Sequence, residues 1–467
     1  MGQASHSMNF PPAFPSSRRE FLRATGRFAA VSALAGITLP YVHGQESSTP
    51  SEMIQLALIG CGGRGTGAVQ NALAVTGSSM KVVAMADVSE SKMNGSYNAL
   101  QNAFGAQIEV PAERRFIAFD GFKSAVDCLK PGDIAIFATP AAFRWVHFQY
   151  AIEKGVHVFM EKPISVDGPT SRKMLALADE AEKKGIKVAV GLMCRHDRTR
   201  QELHKRIQDG QIGEIMSFRT YRMQGPVASC FSGPKPAEKN ELLWQIERFH
   251  SFLWASGGSF SDYMIHNIDE CSWMKNAFPT SARASGGRHF RGDYVDQNFD
   301  TYSVEYIFED GIRMQMEQRN MTGSQDEFAS YVHGTKGIGI ISSAGHTPAK
   351  CRIFSGYKVA SENLLWRADQ PEPNPYQTEW DDFISAIRQD EPYNEVKRSV
   401  EASLMCVLGR MAAHTGQAFT RDEALNHDHE FAPNVDKLTL DSPAPLLADA
   451  NGKYPVPMPG ITKNREY

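Results

Sequence analysis

Short apolar runs alternate with stretches of helical composition between residues 54 and 191. The apolar runs predict strands over Ile54–Ile59, Lys81–Ala86, Ile134–Ala138, Val156–Met160 and Lys187–Gly191. The stretches between them predict helices over Ala68–Val75, Trp145–Glu153 and Ser171–Lys184. Strands separated by helices of this length are typical of parallel βαβ units, and right-handed crossovers then give an open, doubly wound sheet.

The first 45 residues precede this pattern and have the character of an export signal. Arg18 and Arg19 are followed by a Phe-Leu pair and by the short, weakly apolar run Phe28–Leu39. A basic start, a short apolar stretch and a small-residue exit predict a signal peptide, and the twin arginine indicates the Tat type. The alternative is an ordinary amphipathic helix with two chance arginines. We therefore expect a periplasmic or otherwise Tat-exported protein, with the Tat machinery as a partner.

The composition of the remaining chain is that of a soluble globular protein of about two domains, with 42% hydrophobic and 22% charged residues. A formal net charge of −4 gives no indication of nucleic acid or of a membrane surface. No later segment is apolar for long enough to span a membrane, so stable membrane association is not expected. The seven cysteines are scattered and odd in number, which argues against a disulfide framework or a zinc site. We expect no metal.

A glycine motif joins the first predicted strand to the first predicted helix. Gly60 permits the tight turn, Gly62 lets the backbone approach a pyrophosphate, and Gly65 lets the helix pack on the strand. An acidic residue, Asp87, ends the second strand, where it can accept from ribose hydroxyls. The motif therefore predicts a dinucleotide site, with a purely structural turn as the alternative. The predicted cofactor-binding residues here are Gly60, Gly62, Gly63, Arg64, Gly65 and Asp87.

The charge of Asp87 favours NAD over NADP, because a carboxylate repels a 2′-phosphate. Arg64 is able to soften that preference. The alternative interpretation of Asp87 is a cap on the helix that follows it.

A lysine follows the fourth predicted strand in the sequence Glu161-Lys162-Pro163. The carboxyl end of a parallel strand is where doubly wound sheets bind ligands. Lys162 beside a nicotinamide can donate to a reacting hydroxyl or carbonyl oxygen, and burial would lower its pKa. The alternative is a surface lysine at the end of a strand.

Three polar residues, Asp262, His266 and Asp269, are spaced so that a helix places them on one face. A carboxylate four residues before an imidazole can orient it as a general base. A metal site is a weak alternative, because two carboxylates and one histidine lack further clustered ligands. A solvated helical face is the other alternative.

These motifs, in this order, resemble the Gfo/Idh/MocA oxidoreductase family from about Ile54 to about Gln417. The resemblance rests on the glycine turn, the lysine motif and Asp262 with His266, together with Thr139-Pro140, Gly191–Arg195 and Ile212-Gly213. It implies that Thr139, Pro140, Glu161 and Lys162 also contact the cofactor.

The resemblance implies an α/β protein of two domains that forms a homo-oligomer. Residues 54–191 would form a Rossmann domain that binds NAD(P), and residues 192–417 an α/β domain with a large open, mainly antiparallel sheet. Its strands are expected over Ile215–Tyr221, Thr301–Phe308, Ile312–Gln318 and Phe328–His333, and its closing helices over Trp380–Arg388 and Val400–His414. Residues 418–467 form a tail of unassigned role.

Catalysis by Lys162, Asp262 and His266 is a further implication of the resemblance. His266 would take a proton from a sugar or polyol hydroxyl, Asp262 would hold His266, and Lys162 would bind the same oxygen. The sequence departs from the family at Arg144, where many relatives have His, and at Ser259, where a third glycine is usual. Predicted substrate contacts are Arg144, Arg195, Arg248 and Trp254, the last two within a stretch that also suits core packing.

Export restricts the chemistry, because free NAD is not expected outside the cytoplasm. We therefore expect hydride transfer between a sugar, polyol or glycoside hydroxyl and a tightly bound nucleotide that is regenerated in place. One alternative is an NAD-dependent glycoside hydrolase that works by transient oxidation and elimination. Another is a binding protein that holds the cofactor without catalysis.

Overall fold

A six-stranded parallel sheet forms the first half of the computed structural model, which describes residues 53–289 and 291–467. Its strands are β1 Ile54–Ile59, β2 Met80–Asp87, β3 Arg115–Ile117, β4 Ile134–Phe137, β5 His157–Met160 and β6 Val188–Val190. The strand order is β3-β2-β1-β4-β5-β6. The order reverses between β1 and β4, so their carboxyl ends form the crevice in which doubly wound sheets bind ligands. The Rossmann prediction is confirmed, and the predicted signal peptide lies outside the described residues.

Helices connect the strands of this sheet. They are α1 Gly63–Leu73, α2 Glu90–Phe104, α3 Gly121–Val126, α4 Arg144–Lys154 and α5 Gly168–Lys183. The first begins five positions before the predicted Ala68, because the last glycines of the motif already form its first turn. The sequence pattern predicted none of β3, α2 and α3, since this part of the chain lacks a clear apolar period.

A second sheet of nine strands follows. Its strands are β7 Ile215–Gln224, β8 Ser281–Gly287, β9 Thr301–Ile307, β10 Arg313–Asn320, β11 Glu327–Gly334, β12 Gly337–Ser343, β13 Arg352–Ser355, β14 Leu364–Arg367 and β15 Phe419–Thr420. The strand order is β14-β13-β12-β11-β7-β10-β9-β8-β15. Only β7 and β10 pair in parallel, so the sheet is mainly antiparallel, as expected. Burial alternates along β9, which leaves one face of the sheet more accessible.

The remaining helices follow the first sheet in the sequence, and Pro375–Arg388 packs on α1 and β6 of that sheet. They are α6 Arg198–Gln208, α7 Glu241–Glu247, α8 Leu253–Ser256, α9 Gly258–Lys275, α10 Pro375–Arg388, α11 Val396–Thr415 and α12 Arg421–Asn426. Helices α9 and α11 pack on each other, and nearly all their residues are buried. One hydrophobic cluster joins Val158 of β5, Met264 of α9, Val304 of β9 and Met405 of α11. The two sheets therefore share a continuous core.

The tail after residue 417 packs on its own chain. Phe431 and Tyr454 are buried in a cluster with Phe143 and Trp254. Near the end of the tail, the Glu466 carboxylate is 3% exposed and accepts hydrogen bonds from a buried arginine and a histidine of α11. These contacts fix the chain terminus against the core.

The arginine in this contact, Arg410, links three distant segments. Its Nε and Nη2 atoms donate to Glu466 over 2.8 and 2.9 Å. Nη1 donates to Gly257 O (3.1 Å) and Ser261 Oγ (2.7 Å) at the start of α9, and Nη2 also donates to Val166 O (2.7 Å) after β5. Because the guanidinium is fully buried, its charge depends on the Glu466 carboxylate.

We expect Glu466→Gln to lower the free energy of unfolding at pH 7 by about 3–5 kcal/mol, because it leaves a buried cation uncompensated. Although burial opposes ionisation, Arg410 and then His414 lower the pKa of Glu466 to about 2. Because this pKa is depressed, the ionised carboxylate stabilises the fold at pH values above the unfolded-state pKa of about 4.3. This stabilisation is lost as the pH falls through 2. Urea unfolding should therefore show a difference in the free energy of unfolding between the wild-type protein and Glu466→Gln that becomes smaller below about pH 4.5.

The matched control is Glu113→Gln, which removes an exposed carboxylate and should change stability by less than about 0.5 kcal/mol. An equal effect of the two substitutions would contradict the assigned role of Glu466.

Candidate active site

A cavity of about 570 Å³ lies at the carboxyl ends of the parallel strands, where they face α9 and β7. This volume is within the usual range for small-molecule sites. Most of the predicted site residues line it: Gly60, Gly62, Gly63, Arg64, Asp87, Thr139, Pro140, Arg144, Glu161, Lys162, Asp262 and His266. The structure thus brings together residues as far apart in the sequence as Gly60 and His266.

One end of the cavity is formed by the glycine turn. Gly60 has a φ of +96°, and a Cβ there would lie 2.6 Å from the carbonyl carbon of Ala138. A Cβ at Gly65 would overlap the Gly60 carbonyl oxygen, so the helix can approach the strand only without a side chain. Gly62 and Gly63 face open space at the N-terminus of α1. Their free backbone N–H groups are suited to binding a pyrophosphate.

Asp87 holds the glycine turn in place from the end of β2. Its Oδ2 accepts from Cys61 N (2.7 Å), and its Oδ1 accepts from Ser89 N (2.8 Å). The carboxylate therefore fixes the turn between β2 and α2, whose N-cap is Ser89, and also lines the cavity.

Arg64 lies on the other side of the turn. Its guanidinium forms an ion pair with Glu161 and lies 4.7 Å from the centre of the Tyr376 ring. Glu161 follows β5, and two strands separate β5 from β2. The ion pair therefore holds the Arg64 cation away from Asp87.

Arg144 lines the cavity, but its guanidinium donates hydrogen bonds to the protein backbone. Its guanidinium donates to Phe137 O and Thr139 O, both over 2.8 Å, and its residue surface is only 1% exposed. Burial lowers its pKa to about 10. These donors hold the end of β4, and substrate binding by Arg144 stays a prediction.

Lys162 meets α9 at the opposite end of the cavity. Its Nζ donates to Asp262 O over 2.7 Å and lies 3.4 Å from Asp262 Oδ1. The other carboxylate oxygen lies 3.3 Å from His250 Nε2, and His250 Nδ1 lies 2.9 Å from Ser229 Oγ. Burial alone would raise the pKa of Asp262, but Lys162 and His250 hold it below its usual value. Asp262 is thus an anion between two donors.

His266 does not form the predicted hydrogen bond with Asp262. Among the described residues, its buried Nδ1 has no hydrogen-bond partner, and its ring centre lies 4.5 Å from that of His346. The carboxylate turns instead towards Lys162, whose ammonium offers positive charge, and towards His250 Nε2. Burial, followed by the charges of Lys162 and Arg222, lowers the pKa of His266 well below its usual value. The imidazole is therefore neutral.

Three of the four predicted substrate contacts lie outside the cavity. Arg195 binds Asp269 in a bidentate ion pair, with Nε and Nη2 at 2.9 and 2.7 Å from its oxygens. Arg248 is exposed at the end of α7. Trp254 is fully buried and donates to Gln245 Oε1 over 2.7 Å, so it belongs to the core. The helical spacing correctly placed Asp269 on α9, but its charge is used by Arg195.

Four residues that the sequence motifs did not assign line the same end of the cavity: Arg222, His250, Tyr263 and His346. His250 belongs to the aromatic and basic stretch before α9, which gave a weak signal. The other three come from the end of β7, from α9 and from the loop after β12. No local pattern marks them, because only the tertiary fold brings them together.

Neither a metal site nor a membrane span was found in the described part of the chain. Within residues 53–289 and 291–467, no group of three or more His, Cys, Asp or Glu side chains could hold a metal ion. No helix in these ranges is long and apolar enough to cross a membrane.

Family models match both halves of the chain. Residues 54–192 match the model described as the oxidoreductase family with an NAD-binding Rossmann fold. Residues 200–339 match the model of the GFO/IDH/MocA C-terminal domain. Together the two matches span more than half of the 467 residues.

Curated relatives include dehydrogenases and a hydrolase. The chain is 26% identical to scyllo-inositol 2-dehydrogenase (NAD⁺) of Bacillus subtilis over 46% of its own length and 57% of the relative. Inositol 2-dehydrogenase of Rhizobium meliloti is 24% identical, over 72% and 89% of the two chains. A glycosyl hydrolase family 109 protein of Streptomyces coelicolor is 22% identical, over 67% and 69%. The chain thus spans little more than half of the first of these relatives.

Solved structures share the fold. Aldose–aldose oxidoreductase from Caulobacter crescentus, complexed with glycerol, superposes with a TM-score of 0.60. The match covers 79% of this chain and 100% of that one, at 18% sequence identity. At this identity the similarity establishes the architecture of both sheets.

We expect Gly65→Ala to abolish nucleotide binding, because its Cβ would push α1 away from the Gly60 carbonyl and open the turn. The measurement is the nucleotide released by denaturing the purified protein. The matched control is Gly67→Ala in the same helix, whose Cβ would make an ordinary 3.6 Å contact with Arg64. The control should keep its nucleotide and gain up to about 1 kcal/mol of stability. Equal nucleotide content in both variants would contradict the prediction.

Proposed function

Because the chain belongs to the Gfo/Idh/MocA oxidoreductase family, we propose that it transfers hydride between a sugar or polyol hydroxyl carbon and a tightly bound nicotinamide nucleotide. The observation that carries this proposal is the arrangement of one cavity. Its glycine turn suits a dinucleotide, and its other end joins Lys162, Asp262 and a neutral His266. A phosphate-binding turn and a proton-handling group thus lie along one continuous site.

In this proposal Lys162 donates to the reacting oxygen and stabilises the negative charge that develops on it. Asp262 holds the ammonium in place through its carbonyl and carboxylate oxygens. His266 takes the hydroxyl proton, which a neutral imidazole can accept. The bound nicotinamide supplies the acceptor for the hydride. His250 also contacts Asp262 and completes the polar wall on that side.

We propose NAD as the nucleotide. The Asp87 carboxylate lies at the end of β2, where it disfavours a 2′-phosphate, and Arg64 is engaged by Glu161 on the other side of the turn. Export by the Tat route, which the sequence predicts, implies that NAD is loaded before export and stays bound. Each cycle then has to be redox-neutral, with one substrate oxidised and a second compound reduced. Denaturing the purified protein should release NAD or NADH, and release of NADP would contradict this assignment.

A second candidate function is glycoside hydrolysis by transient oxidation, elimination and reduction. The similarity to a glycosyl hydrolase family 109 protein favours it. The same site would serve, because both reactions begin with removal of hydride from a hydroxyl carbon. Purified protein that cleaves aryl glycosides without net NADH formation would support this candidate, whereas turnover of free sugars alone would support the oxidoreductase. Binding of sugars without either reaction would favour a non-catalytic binding protein.

We expect Lys162→Met and His266→Gln each to lower kcat by about 100-fold or more, because each removes proton handling or charge stabilisation at the reacting oxygen. Nucleotide content should not change, since neither residue belongs to the glycine turn. Both quantities are measured on the purified protein, and Lys205→Met, which alters an exposed lysine on α6, is the control. Unchanged turnover in both active-site variants would remove the catalytic assignment.

A further inference from the structure

We propose that the substrate is a sugar acid, whose carboxylate binds Arg222 beside His266. This inference rests on the proposed function and names the substrate class for that site. Arg222 lies near the end of β7, and its side chain lines the cavity with Lys162, Asp262 and His266. It is therefore within the part of the cavity assigned to the substrate.

The guanidinium of Arg222 is fixed by contacts on one edge and on its faces. Its Nη1 donates to Tyr263 O over 2.5 Å and to His346 Nε2 over 3.1 Å. Its central carbon lies 5.1 Å from the ring centre of Tyr263 and 4.6 Å from that of Phe328. Contacts of this kind hold the plane of the group, so its remaining donors point in a set direction.

The other edge of the guanidinium has no hydrogen-bond partner among the described residues. Nε is buried without a hydrogen-bond partner, and none of the described residues accepts from Nη2. Buried donors are almost always paired in folded proteins, which makes the unpaired buried Nε beside this cavity a sign of a ligand. Nε and Nη2 form the edge that binds a carboxylate through two parallel hydrogen bonds.

The charge balance at this end of the cavity also favours an anion. Lys162 and Arg222 carry two positive charges, and Asp262 supplies one negative charge. The other cavity carboxylates are engaged elsewhere, Glu161 by Arg64 and Asp87 by backbone N–H groups. Among the described residues, no carboxylate forms an ion pair with Arg222. A carboxylate on the substrate would compensate this buried charge.

His346 provides a further donor next to Arg222. Its Nε2 accepts from the guanidinium, so its proton lies on Nδ1, which is buried and has no partner among the described residues. The ring is 4.5 Å from that of His266, centre to centre. The Nδ1–H group can bind a hydroxyl or the second oxygen of a carboxylate. Arg222 and His346 thus supply donors on the side of the cavity that faces the proton-accepting imidazole.

Arg222 takes the role that the sequence suggested for Arg144. Both are buried arginines of the same cavity, but Arg144 donates to Phe137 O and to Thr139 O. Its two terminal nitrogens are thus bound by the protein backbone, and its Nε is also buried without a partner. Arg222 differs in that neither its Nε nor its Nη2 has a hydrogen-bond partner among the described residues.

The experiment compares sugar acids with their neutral amides. The probes are uronic and aldonic acids of gluco, galacto and manno configuration, each with its amide and its parent sugar. Binding is measured by calorimetry, and hydride transfer by the single-turnover rate at which the bound nucleotide is reduced. We expect the wild-type protein to prefer the best acid over its amide by about 10- to 100-fold in affinity and in the second-order rate constant of this reduction.

Two substitutions test whether Arg222 creates this preference. Arg222→Met should reduce the acid-to-amide ratio to about one, and Arg222→Lys should keep only part of it, because an ammonium lacks the planar fork. If Arg222 has a purely structural role, its substitution lowers the values for the acid and for its amide together and leaves their ratio unchanged. That result would overturn the inference. The control is Arg219→Met, an exposed arginine on the same strand, which should preserve the ratio.

The outcomes separate this inference from the proposed function. Turnover of neutral sugars without preference for any acid would overturn the carboxylate site and leave the oxidoreductase proposal intact. Acid binding that depends on Arg222 without turnover would support the site and contradict the proposed reaction. If no compound of the panel is bound or turned over, both the carboxylate site and the proposed function are contradicted.

Discussion

The active-site geometry depends on a single buried cation, Arg410. Its guanidinium bonds to the backbone after β5, to the start of α9 and to the Glu466 carboxylate. The first segment follows Lys162 closely, and the second carries Asp262 one turn later. An arginine that touches neither side chain therefore helps to hold the two segments whose side chains meet in the Lys162–Asp262 contact. Because a buried guanidinium requires an anion, the end of the chain takes part in positioning the candidate catalytic residues.

Burial determines which groups in the cavity carry charge. Desolvation is the largest effect on His266, and neighbouring cations add to it, so the imidazole stays neutral. Asp262 keeps its charge only because Lys162 and His250 donate to it. Arg222 has no carboxylate partner among the described residues, so its charge is left to be compensated. The charges in the cavity thus depend on which ionisable side chains the fold provides with a partner.

The sequence predicted the parts of the site that depend on local geometry. Gly60 and Gly65 could be assigned because a turn and a close helix–strand contact require glycine, and Lys162 because it follows a parallel strand. It could not predict which partner each long or charged side chain would choose. Asp262 pairs with Lys162 and His250 rather than His266, and Arg195 pairs with Asp269. These choices depend on distances between elements that are far apart in the sequence.

The continuous core also bears on how the cofactor would be retained. Val158 of the first sheet and Val304 of the second belong to the same hydrophobic cluster, and α9 and α11 lie between the sheets. Separating the sheets to release a nucleotide would expose that cluster to water, which is unfavourable in proportion to the apolar area uncovered. Exchange of the cofactor by opening of the two halves is therefore expected to be slow. A slow exchange agrees with the proposal that one nucleotide serves repeated cycles, which requires that both half-reactions use the same cavity and the same Lys162.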